Sequence, residues 1–175
     1  MTGLKPMKRF LSLLLISWFL IILQTTLLKL FSVGVVIPDL VFLTVLYLGL
    51  FHKFRRGSAI TFFLGYLMDL FSGSPMGLYI FLYLGSFSIT QLIREVVYFK
   101  SIPSQVIYVL ILSFGNSLLL FLLLWIFSPS LSLPSSLLKW IIIQGVYNAL
   151  VGPFLFLLLE RINQRFLDNS LLEGI

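Results

Sequence analysis

The stretch Gly65-Tyr66-Leu67-Met68-Asp69-Leu70-Phe71-Ser72-Gly73-Ser74-Pro75-Met76-Gly77-Leu78 decides how this chain folds. It lies inside an almost continuous apolar run, yet it holds a carboxylate and a Gly-Ser-Pro-x-Gly break. In a bilayer core an ionised Asp costs roughly 2.5–3.5 kcal/mol on insertion scales, and such a break removes helix hydrogen bonds as well. Residues 58–93 as one helix would reach about 54 Å, against a hydrocarbon core of about 30 Å. The stretch therefore predicts a hairpin of two short helices broken at 71–76. Ser74 is the expected N-cap of the second helix and Pro75 its first residue. Asp69 has three readings: a helix-end residue exposed at the interface, a buried acceptor for the freed amides of Ser72 to Met76, or a contact to a ligand or partner.

Composition sets the frame around the hairpin. The 175 residues are 59% apolar and 10% charged, with a mean hydropathy of +1.09. Soluble domains carry about 25% charged residues, so this reads as one all-α integral membrane domain. With no Cys, disulfides and thiolate metal sites are excluded. Spans of about 20 apolar residues fall at 10–31, 35–51, 58–71, 76–93, 104–127 and 137–159. The first is longer than a signal-peptide core and ends without an Ala-x-Ala site, so it reads as a retained helix. The span at 58–71 is short, so either it begins earlier, with Lys53, Arg55 and Arg56 at the interface, or the turn floors an outward-facing cavity beside Asp39 and Asp69.

The net charge of +6 belongs to the span ends rather than to a nucleic-acid face. With the N-terminus inside, Lys5, Lys8, Arg9, Lys53, Arg55, Arg56, Arg94, Lys100, Arg161 and Arg165 are cytoplasmic, and only Lys29 and Lys139 lie outside. That asymmetry predicts six spans with both termini in the cytoplasm. Asp39, opening the second span, and Asp69, closing the third, then fall at the same outer end.

Polar residues mark the faces that meet, because lipid removes the hydrophobic incentive for helices to associate. Thr61, Gly65, Asp69 and Ser72 share one helical face, as do Gln144, Asn148 and Gly152. Ser17 and Gln24 in the first span, and Ser113, Asn116 and Ser117 in the fifth, extend this seam. Gly77, Phe81 and Gly85 make a small-large-small ridge whose expected use is internal packing or, less directly, a partner surface.

Catalysis finds no support in the pattern. Asp69 lacks the Gly-x-Gly-Asp context of intramembrane aspartyl proteases, and Asp39 after Pro38 suits a first-turn carboxylate favoured by the helix dipole. The single His, His52, sits beside Lys53 on the cytoplasmic side, where it cannot serve a serine nucleophile in the membrane. There is no metal-ligand spacing and no phosphate loop. No catalytic, cofactor or metal residue is expected.

The motifs together resemble a family. Gln24 late in the first span, Pro38-Asp39 opening the second, the hairpin set Gly65, Asp69, Leu70, Ser72, Gly73, Pro75 and Gly77, and Asn148 with Pro153 before a basic tail are similar to the MreD family of bacterial rod-shape-determining proteins. The likeness covers nearly the whole chain. It implies a non-catalytic scaffold of the lateral peptidoglycan-synthesis machinery in the cytoplasmic (inner) membrane. It implies association with an MreC-like single-span protein and, through it, with MreB filaments, RodA and a class B penicillin-binding protein, in contact with membrane lipid and not with nucleic acid. The six-helix plan is also similar to the S-components of energy-coupling-factor transporters, which gives the alternative of a membrane subunit binding a small molecule or lipid. The docking Ala-x-x-x-Ala of those proteins is missing, since 10–31 has no Ala.

Overall fold

The computed structural model describes residues 38–73, 75–94, 101–127 and 137–172. Among these residues it is all-helical, with five α-helices and no strand. They are α1 (Leu40–Phe51), α2 (Phe54–Ser72), α3 (Leu78–Ile93), α4 (Ile102–Phe127) and α5 (Leu137–Leu172). The expected first span, with Ser17 and Gln24, lies outside the described residues, and so does Ser74.

α1 is the centre. Every residue from Val41 to Leu50 is buried, as expected of a helix that is apolar on all sides. It packs on α2, α3 and α5. Its 12 residues make a rod of about 18 Å, well short of a 30 Å hydrocarbon core. Water therefore does not reach both of its ends in a membrane, and the protein must satisfy them itself.

α2 and α3 form the hairpin, held at backbone contact by glycine. A Cβ on Gly65 would lie 2.7 Å from the Ile80 Cα, and one on Gly57 would lie 2.5 Å from the Phe87 ring. α2 is longer than the 58–71 stretch suggested: it begins at Phe54 and takes Arg55 and Arg56 into its first turn. It ends on Gly73 in the left-handed region, φ 67°. The next helix does not start at Ser74–Pro75. The Leu78 amide donates to the Pro75 carbonyl at 3.3 Å, Gly77 takes φ 97° as N-cap, and α3 begins at Leu78. A second positive-φ glycine holds the chain out of the helix for three residues beyond the expected start.

α4 and α5 form a second antiparallel pair. Asn148 meets Ser113, and Gly152 lies against Val109, where an added Cβ would come within 3.0 Å. α5 carries Pro153 in its interior and runs on past the expected end at 159 to Leu172. Ile102–Phe127 and Leu138–Ile162 are long and apolar enough to cross a membrane. On α4 the apolar residues Ile107, Ile111, Leu118, Leu122, Trp125 and Ile126 face outward, a continuous surface far larger than water tolerates but ordinary in lipid.

Candidate functional site

The contacts above order the helices alternately, so that the N-terminus of α1, the turn between α2 and α3, the C-terminal half of α4 and the first half of α5 share one end. Two carboxylates organise that end, and each does so by capping a helix. Asp39 is the N-cap of α1: its Oδ1 accepts from the Phe42 amide at 3.0 Å. Its own amide donates to Asn148 Oδ1 at 2.8 Å, and Asn148 Nδ2 donates to Ser113 Oγ at 3.2 Å. The Tyr83 hydroxyl reaches Asp39 Oδ2 in a long contact of 3.5 Å. One chain of polar groups thus joins α1, α3, α4 and α5.

Asp69 caps a helix it does not belong to. From the last turn of α2, its Oδ2 accepts from the Gly77 amide at 2.9 Å and the Ile80 amide at 3.3 Å. Its Oδ1 accepts from the Tyr79 amide at 2.8 Å. These are the N-terminal amides of α3, which lacks a side-chain cap from its own N-cap residue. The carboxylate is buried and faces the positive end of the α3 dipole. Of the three sequence readings the geometry matches the buried acceptor, with a shift: the amides are those of Gly77, Tyr79 and Ile80 rather than Ser72 to Met76. Ser72, Gly73 and Pro75 are exposed around this cap, and Gly65 allows α3 to come close enough for it to form.

The other end of α1 is closed from α3. Gln91 Nε2 donates to the carbonyls of Gly49 at 2.9 Å and His52 at 2.8 Å. Arg94 donates to the same His52 carbonyl at 2.9 Å. One turn inward Thr90 Oγ1 donates to the Ser86 carbonyl at 2.7 Å. A hydroxyl has one hydrogen, so in the 2.6 Å contact with Tyr108 it is the tyrosine that donates. Burial and the Arg56 charge hold the His52 imidazole below its ordinary pKa of 6.5.

The seam expected from sequence is thus partly assembled. Asp39 and Asn148 meet, Pro38 is half-buried next to Asp39 in sequence, and Pro153 is buried in α5. Gln144 is half-buried and joins none of these bonds. The ridge Gly77, Phe81 and Gly85 faces outward rather than inward: Phe81 is 61% exposed and a Cβ on Gly85 would meet nothing within 4 Å. Sequence reasoning missed the α3 stripe Tyr83, Ser86 and Thr90, although its spacing of 3 and 4 on one face of an apolar helix was a readable signal, and it missed Gln91 beside it.

The model of the rod shape-determining protein MreD family matches residues 5–162, which take in α1 to α4 and α5 as far as Ile162. The chain belongs to the MreD family. Among curated proteins and among solved structures nothing matches. Membership gives this chain a role in rod-shape determination, in a family of membrane proteins that are shape-determination components. In MreD terms the hairpin residues Gly65, Asp69, Gly73 and Gly77 do architectural work here: one close helix contact, one cap and two left-handed turns.

Proposed function

We propose that this MreD-family chain is a non-catalytic adaptor of the lateral wall-synthesis machinery, which holds an MreC-like single-span protein through helix contacts in the cytoplasmic membrane. In this reading it has six spans and both termini in the cytoplasm, and it reaches MreB, RodA and a class B penicillin-binding protein through that partner. The supporting observation is the destination of its buried polar groups. Asp69 and Asp39 are engaged by helix amides, Asn148 by Asp39 and Ser113, and Gln91 by carbonyls. Groups committed to holding helices together favour a scaffold over a reaction centre. The outward ridge Gly77, Phe81 and Gly85 supplies the small-residue surface on which a partner helix packs closely.

The test is affinity purification of the tagged chain from its native membrane in mild detergent, with co-eluting proteins and small molecules both identified by mass spectrometry. The adaptor reading expects a single-span MreC-like protein, lost on Gly85→Leu while the fold survives. A stoichiometric vitamin or an ATPase module in its place would make the chain a transporter subunit.

A further inference from the structure

The basic end of α2 is built against electrostatic expectation. A helix N-terminus carries partial positive charge and is stabilised by acids, not bases. α2 has Lys53 as N-cap with no side-chain cap bond, and no acidic residue in its first turn. Arg55 and Arg56 occupy that turn, and all three basic residues are exposed. None of the three side chains has an ion-pair partner among the described residues.

The backbone carrying these charges is fixed. The His52 carbonyl just before Lys53 is held by both Gln91 and Arg94. The Gly57 and Arg56 amides close the turn onto the Lys53 carbonyl at 3.0 and 3.1 Å. Phe54 packs against Phe87, with ring centroids 5.7 Å apart and the planes tilted by 46°. Phe54 and Phe62, about two turns apart on α2, are both exposed. Three exposed cations, unpaired among the described residues, and a positive helix end thus sit on a hydrogen-bonded backbone directly beside exposed aromatic rings.

We propose that the Lys53–Arg56 turn binds the phosphate of an anionic phospholipid, with an acyl chain lying along Phe54 and Phe62. Charge complementarity selects the head, and the aromatic track selects a lipid over a soluble anion. The site requires that this end of the bundle lie at a membrane surface; it requires neither the adaptor role nor a given orientation. A basic turn serving topology alone needs no fixed backbone and no adjoining apolar track.

The full chain, purified in a neutral detergent, is offered phosphatidylglycerol or phosphatidylcholine, and bound lipid is counted by native mass spectrometry alongside thermal unfolding. Phosphatidylglycerol binds in preference and raises the unfolding temperature. The variant Lys53→Gln/Arg55→Gln/Arg56→Gln lowers its occupancy at least about tenfold and removes the thermal shift, each charge near a membrane surface being worth about fivefold. A control, Lys139→Gln/Arg161→Gln, removes exposed charges elsewhere and changes occupancy by less than about fivefold, the worth of one charge at the surface. Equal loss per charge in the control, or undiminished binding in the triple variant, overturns the site. Displacement by inorganic phosphate at matching concentration overturns the lipid as its occupant. If the triple variant does not fold, Arg55→Gln alone is expected to lower occupancy about fivefold, and no change in it overturns the proposal equally. The readout needs no protein partner, so it stands or falls apart from the adaptor reading.

Discussion

At the Asp39 end of α1, polar groups converge from α1, α3, α4 and α5, and Asp69 adds α2 through its cap on α3. Its two carboxylates are engaged by backbone amides. At the His52 end, the carbonyls of α1 are taken up by Gln91 and Arg94, and the nearby charges of Lys53, Arg55 and Arg56 are exposed, with no ion-pair partner among the described residues. Both ends solve the same problem, a buried helix too short to reach water at both surfaces. One solves it by consuming its charge, so it sets the fold. The other keeps charge in reserve, so it remains available to something outside the chain.

The largest break in this contrast is Asp69→Leu. It strands the Gly77, Tyr79 and Ile80 amides, at about 1–3 kcal/mol for each buried donor left unpaired, and chemical unfolding in detergent should show the hairpin lost. Asp69→Asn keeps an acceptor and should lose clearly less; equal losses would make the charge itself, and not the bonds, the essential quantity. Next is Gly65→Ala, whose new methyl meets the Ile80 backbone at 2.7 Å. A loss of about 1–3 kcal/mol is expected, read as a lower unfolding midpoint, and an unchanged midpoint would show that α2 and α3 can separate freely.

Asn148→Leu and Gln91→Leu compare the two ends directly. The first leaves the Asp39 amide and the Ser113 hydroxyl without Asn148, at about 1–3 kcal/mol, while the second leaves the His52 carbonyl on Arg94 and frees the Gly49 carbonyl alone, at about 1 kcal/mol. A larger loss for Gln91→Leu reverses the ranking of the ends. The smallest effect concerns His52. Its lowered pKa means the folded state prefers the neutral ring, so its contribution is complete above the ordinary value of 6.5 and is lost as pH falls through the lower folded value. Unfolding midpoints measured from pH 7.5 to 5 should decline toward acid, and His52→Gln should flatten that decline.

Much of this was legible from residue types. A helix break in an apolar run, with a carboxylate one turn before it, already pointed to a hairpin and to amides needing an acceptor. That Leu40–Phe51 is the central helix was not legible, since Ile102–Phe127 is also apolar on every side yet largely faces outward. Nor could the register of the turn be read. Ser74-Pro75 is a sound local start signal, but it lost to Gly77 because the cap comes from Asp69, eight residues back. Local rules weigh neighbours in sequence, and this competitor is a neighbour only in space. The lower closure escaped for a similar reason: Gln91 looks like an ordinary interface residue until its partners, two carbonyls some forty positions away, are known. The ridge of Gly77, Phe81 and Gly85 was open to either reading, since spacing places residues on a common face without saying which face looks out.

The cap on α3 also bears on how the protein is made. A ribosome delivers Asp69 before it delivers Gly77, Tyr79 and Ile80, so a nascent α2 meets the membrane with its carboxylate still bare. In that interval the segment carries the solvation penalty of an intramembrane Asp, because the amides that relieve it are not yet positioned alongside. Relief comes only when the first turn of α3 has formed alongside. The two helices are therefore better regarded as a single insertion unit, entering the bilayer together or waiting at its surface for each other.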